Sequence, residues 1–73
     1  MKIGKKIKKI REEKGLSQEE LYNLSGVRIA TISRIENGVH EPYLATLKSL
    51  ATGFGMLVKD IMEGIDEKWQ LSI

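Results

Sequence analysis

Apolar residues recur along this chain at helical rather than strand spacing. Ile3, Ile7 and Ile10 fall on one face of a first run whose other faces carry Lys5, Lys6, Lys8 and Lys9, which predicts an amphipathic helix over about 2–14, stopped at Gly15. Leu21 and Leu24 form the inward side of a second run, and Ile32 and Ile35 that of a third, with Val27 leading into it. Ser17 followed by Glu20 is a capping box that opens the second helix at Gln18. Gly26 closes it, because a residue without Cβ tolerates positive φ in a tight turn. The third helix is expected over about 28–36, ended by Asn37-Gly38. Val39-His40-Glu41-Pro42 reads as a loop, and Pro42 stands where a new helix can begin. A fourth helix, about 43–53, is expected to bury Leu44, Leu47, Leu50 and Ala51 and to end at Gly53 and Gly55. Leu57, Val58, Ile61 and Met62 suit a short fifth helix that closes the core before Gly64. Trp69, Leu71 and Ile73 then alternate, which is strand spacing.

The second and third runs are each about eight residues long, too short to be stable alone. Two such helices joined at a glycine make a helix-turn-helix unit, whose second helix commonly enters the DNA major groove. The outward side of the third run contains Arg28, Ile29, Ala30, Ser33 and Arg34. A solvent-facing isoleucine and alanine suit a thymine methyl, and arginine suits guanine O6 and N7. The plainer alternative is that Arg28 or Arg34 touches only phosphate or pairs with a nearby acid. For Arg34 the residues one turn away are Ala30 and Gly38, and neither is acidic.

Size and charge narrow the picture. Seventy-three residues make one domain, 41% hydrophobic and 30% charged. The net charge of +2 hides a gradient: residues 1–14 hold seven Lys/Arg and two acids, whereas 39–73 sum to −2. A local basic face can attract phosphates although the whole is nearly neutral. There is no cysteine, and His40 is the single histidine, so no disulfide framework and no thiolate or His-cluster metal site is expected. No apolar run approaches a membrane span, no signal core follows Met1-Lys2, and a cytoplasmic protein is the expectation. No nucleophile set, phosphate loop or paired carboxylates point to an enzyme. Glu12, Glu13, Glu19 and Glu20 fit helix surfaces and a cap. No cofactor or small-molecule substrate is called for.

The strings LSQEEL (16–21) and SRIENG (33–38), with Gly26, Ile32, Ile35, Pro42 and the Leu44/Leu47/Leu50 pattern, resemble the phage Cro and repressor helix-turn-helix family, also called xenobiotic-response-element-like regulators. The likeness covers about residues 3–63. It implies an all-α, compact bundle of about five helices with a central helix-turn-helix, the lambda-repressor-like DNA-binding domain, over residues 1–63. Residues 64–73 are read as a C-terminal tail whose Trp69, Leu71 and Ile73 suit either dimerisation or folding back on the chain's own core. It also implies a sequence-specific regulator of double-stranded DNA, a repressor above all, bound as a homodimer to a palindromic operator. A restriction-modification controller, an antitoxin with a toxin partner, or a protein–protein adaptor without DNA binding are the alternatives within the fold.

Carried over by position, the resemblance implies that Gln18 meets a phosphate at a helix N-terminus. Arg28, Ile29 and Ala30 would lie nearest the base edges, with Arg34 one turn on. Asn37 would reach the backbone, and Thr31, Ser33, His40 and Tyr43 would complete the DNA-binding set. Arg11 and Glu36 would pair, tying the first helix to the end of the third. Three positions depart from the family pattern: Tyr22 replaces a small alanine, and Arg28 and Leu57 replace polar helix caps.

Overall fold

The computed structural model describes residues 3–64. Its elements in order are α1 (Ile3–Glu13), α2 (Gln18–Ser25), α3 (Ile29–Glu36), α4 (Leu44–Phe54) and α5 (Val58–Met62). All regular structure among the described residues is helical. The alternating tail at Trp69, Leu71 and Ile73 lies outside them.

One apolar cluster holds the helices together. Ile3, Ile7 and Ile10 of α1, Leu21 of α2, Ile32 and Ile35 of α3, Leu47, Leu50, Ala51 and Phe54 of α4, and Ile61 and Met62 of α5 are all buried in it. Each buried Leu or Ile contributes about 1.5–3 kcal/mol relative to exposure. None of the five helices buries its apolar face alone, so the short α2 and α3 are stable only as parts of this core. Buried Pro42 and half-buried Leu16, Met56 and Val58 fill its margin. None of the helices is long and apolar enough to cross a membrane.

The helices α1, α3 and α4 end in the same way. An amide just beyond each helix reaches back five residues: Leu16 N to Arg11 O at 3.0 Å, Val39 N to Arg34 O at 2.9 Å, and Met56 N to Ala51 O at 2.9 Å. These are Schellman closures, and they satisfy carbonyls that would otherwise be orphaned.

Four expectations need correction. Leu24 is not inward; it is 55% exposed. The two helices that pack most extensively, α2 and α4, cross at small residues. A Cβ on Gly53 would stand 2.8 Å from the Ser25 Cβ. With Ser25 turned toward α4, Leu24 is rotated by about 100° toward solvent. Gly53 therefore does not end α4 but lies inside it, one residue before Phe54, where its bareness admits α2. Leu44, at the first turn of α4, is 36% exposed, and Leu57 is also exposed, standing before α5 rather than in the core. The Leu57 N–H is satisfied by the Asp60 carboxylate at 3.2 Å, half of a capping box without a polar cap side chain.

Candidate nucleic-acid interface

The chain around the turn fixes α2 and α3 locally. Ser17 Oγ accepts from Glu20 N at 3.0 Å, and Glu20 Oε1 accepts from Ser17 N at 2.8 Å, the reciprocal box foreseen in the sequence. Gly26, at φ 78°, stops α2 and donates to Tyr22 O at 2.8 Å. Ser25 then staples the turn: its hydroxyl donates to Leu21 O at 2.7 Å and accepts from Val27 N at 3.1 Å. Buried Val27 anchors the far side of the turn. Arg28 stands at the N-cap of α3 without a side-chain cap bond, which forgoes about 1 kcal/mol relative to Ser or Asp and leaves its guanidinium outside.

On α3 the division of faces is sharp. Ile32, Ile35 and Glu36 are buried, whereas Arg28, Ile29, Ala30, Arg34 and Asn37 are exposed, and Thr31 and Ser33 are half-buried between them. Ala30, Arg34 and Asn37, spaced by four and three, form one outward stripe. Among the described residues the one ion pair is Arg11 with Glu36, so neither Arg28 nor Arg34 has a carboxylate partner. Arg28 forms a wall shared by two open depressions. One, of about 290 Å³, is completed by Tyr22, Ile29 and Ala30. The other, of about 310 Å³, runs to α4 along Gly26, Val27, Thr31, Ala45, Thr46 and Ser49.

The remaining sequence-predicted residues fall around this stripe in different roles. Asn37 donates from Nδ2 to Ser33 Oγ at 3.3 Å, so these two side chains are joined at the C-terminal end of α3. His40 is exposed in the α3–α4 connection, and Tyr43 is exposed at the N-cap of α4. Gln18 has an internal partner as well. Its Nε2 donates to Glu36 Oε1 at 3.1 Å, which leaves its Oε1 and its backbone N–H for an outside group. Lys6 of the basic first helix also has an internal partner, donating from Nζ to Glu63 O at 2.6 Å beyond α5. Tyr22, outside the set that the sequence points to, stands beside the start of α3. Its position one turn after Gln18, and the exchange of a small residue for a ring there, were the available signals.

Beneath this surface a polar knot sets where the helices sit. Arg11 donates to Glu36 through Nε at 2.7 Å and Nη2 at 3.1 Å, and through Nη1 to Leu16 O at 2.8 Å. The side chains are 11% and 2% exposed. With Gln18 on the same carboxylate, one group joins α1, α2 and α3. The hydrogen bond from Glu36, together with the charges of Glu36 and Glu12 and against the opposing effect of burial, raises the Arg11 pKa above its ordinary value.

Residues 7–57 match the model of the family described as Helix-turn-helix. The chain is 32% identical over 66 residues to the HTH-type transcriptional regulator DdrOP3 of Deinococcus deserti, covering 90% of this chain and 51% of that protein. It is 39% identical over 75 aligned residues to the cryptic phage CTXphi transcriptional repressor RstR of Vibrio cholerae, covering 97% of this chain and 68% of RstR. The fold superposes on the crystal structure of the restriction-modification controller protein C.AhdI from Aeromonas hydrophila with a TM-score of 0.76 and 30% identity, covering 81% of this chain and 89% of that one. The chain thus spans about half the length of DdrOP3 and about two thirds of RstR. With its two short helices, the turn at Gly26 and the exposed flank of the second helix, the chain belongs to the helix-turn-helix family of Cro- and repressor-type regulators.

Proposed function

We propose that the chain is a sequence-specific double-stranded DNA-binding transcriptional regulator, a repressor that binds a palindromic operator as a homodimer in the cytoplasm. The observation that carries this reading is the outer half of α3: two arginines without acidic partners among the described residues, beside exposed Ile29 and Ala30, on a helix whose other half is locked in the core. Arg28 and Arg34 supply cations for guanine edges or phosphates, and Ile29 and Ala30 supply apolar contact for thymine methyls. The backbone N–H of Gln18 suits a phosphate at the α2 N-terminus. Thr31, Ser33, Asn37, His40 and Tyr43 are assigned to sugar–phosphate contacts, which fix register rather than sequence.

The described residues extend 30 × 23 × 20 Å, the size of one half-site. Two copies on half-sites about 34 Å apart are the arrangement that gives such domains specific affinity. Residues 64–73 are assigned the pairing role. Selection of bound sequences from random duplex DNA tests the proposal: a palindrome with half-sites one helical turn apart is expected. Enrichment of an unrepeated half-site would refute the dimer, and no enrichment would refute sequence-specific binding.

A restriction-modification controller is the second reading, favoured by the match to C.AhdI over 89% of its length. Adjacent genes for a methyltransferase and an endonuclease would select it.

A further inference from the structure

We infer that Tyr22 is a specificity-determining residue, whose ring forms with Ile29 and Ala30 a seat for the 5-methyl group of a thymine in the operator half-site. The inference rests on the regulator reading above. Tyr22 lies on α2, one turn beyond Gln18, and its carbonyl is tied to Gly26 N at 2.8 Å, so its backbone is fixed where the turn begins. The residue is 43% exposed, and Ile29 is 41% exposed. The Tyr22 hydroxyl has no hydrogen-bond partner among the described residues, so no internal bond explains the ring's position.

What the ring does is complete the open depression of about 290 Å³ whose other walls are Ile29, Ala30 and Arg28. Three walls are apolar and one is a cation with no ion-pair partner among the described residues. That combination matches a thymidine nucleotide, which presents an apolar methyl on its major-groove edge close to a phosphate. It also joins the two helices functionally, because a residue of α2 contributes to readout by the start of α3. An exposed ring beside exposed Ile29 and Ala30 otherwise leaves apolar surface in water, and seating a methyl removes part of it.

Replacing thymine by deoxyuridine deletes only the methyl. Scanned through the selected operator, this substitution is expected to weaken wild-type binding about fourfold per half-site at one symmetric position, the worth of one buried methyl. In Tyr22→Ala and Tyr22→Gln that penalty is expected to fall close to nothing, while Tyr22→Phe, which keeps the ring, retains it. Since Tyr22 is largely outside the core, these variants are expected to melt with the wild type. The inference is overturned if no thymine position carries the penalty, or if the penalty is unchanged in both Tyr22→Ala and Tyr22→Gln. It is likewise overturned if Tyr22→Ala abolishes self-association without any deoxyuridine effect, which would make the depression a seat for a second copy of the chain. In each of these cases the wild type still binds its operator, so the regulator reading survives. A wild-type protein that enriches no duplex removes both.

Discussion

Arg11→Ala is expected to remove about 3–5 kcal/mol of stability, the cost of leaving a buried charge without its partner. A chain of this size has only roughly 4–11 kcal/mol in total, so the variant sits at the edge of unfolding. The cost is large because the Glu36 side chain is 2% exposed and cannot turn to water. After the substitution it keeps one neutral donor, Gln18 Nε2, and Leu16 O loses its donor as well. The reverse deletion, Glu36→Ala, is expected to cost less, because Arg11 at 11% exposure can redirect its head to solvent. Arg11→Met combined with Glu36→Leu is expected to recover most of the loss, since well-packed apolar replacements of a buried pair are often neutral. Chemical denaturation of the wild type and these three variants measures this. A loss below about 1 kcal/mol for Arg11→Ala, the range of an exposed pair, would contradict the buried-knot reading. The pH dependence has a definite sign. Because the Arg11 pKa is raised in the folded state, its contribution is complete at every pH below its unfolded value and is lost only as strongly alkaline pH passes the folded one. Stability from this guanidinium should therefore be flat from neutral pH to about pH 10.

Gly4→Ala is expected to destabilise the domain by about 2 kcal/mol, although alanine is the better helix former by about 1 kcal/mol. Gly4 is buried inside α1, and a Cβ there would run into the carbonyl oxygen of Ile35. The obstacle is backbone, so no rotamer change relieves it, and α1 must move off α3. Overpacking costs up to about 3 kcal/mol, which exceeds the propensity gain and leaves the net loss stated, seen as a fall in melting temperature of about 10 °C. A thermal melt at or above wild type would show that the α1–α3 approach is looser than described. Because Ile35 and Glu36 belong to the helix that carries Arg28 and Arg34, this substitution should also weaken DNA binding without touching the surface itself.

Both predictions concern features that the sequence only partly discloses. The isoleucines of α1, Leu21, Ile32 and Ile35 were legible because a period of 3.6 names one face, and the capping box of Ser17 and Glu20 marked where α2 starts. The Arg11–Glu36 pair was legible only through family resemblance, since 25 residues separate the partners. Leu24 and Leu44 were misplaced because periodicity states which residues share a face, not whether a neighbour covers it. The crossing of Ser25 on Gly53 decided the matter for Leu24, and small residues leave no apolar signal. Gly53 reads as a terminator for the same reason: a glycine that admits another helix and one that ends its own look alike in sequence. Gly4 likewise carries no signal in the sequence of its contact with Ile35. Gln18 kept its place at the start of α2, but its side chain found Glu36, a partner on another helix that local pattern cannot supply. Tyr22 is in sequence only a departure from the family pattern, and its sharing a depression with Ile29 and Ala30 is a tertiary fact.

The outer face of α3 is the surface proposed to read sequence, and on it Arg34 has no acid one turn away in sequence and no ion-pair partner among the described residues. The decisive measurement is the selection of bound duplexes repeated with Arg34→Ala and compared position by position with the wild type. Loss of preference for guanine at one symmetric position of the palindrome, worth about 1–3 kcal/mol with the remaining positions unchanged, is the predicted result. An unaltered preference at every position, with affinity lowered uniformly or not at all, would contradict base readout by α3 at Arg34.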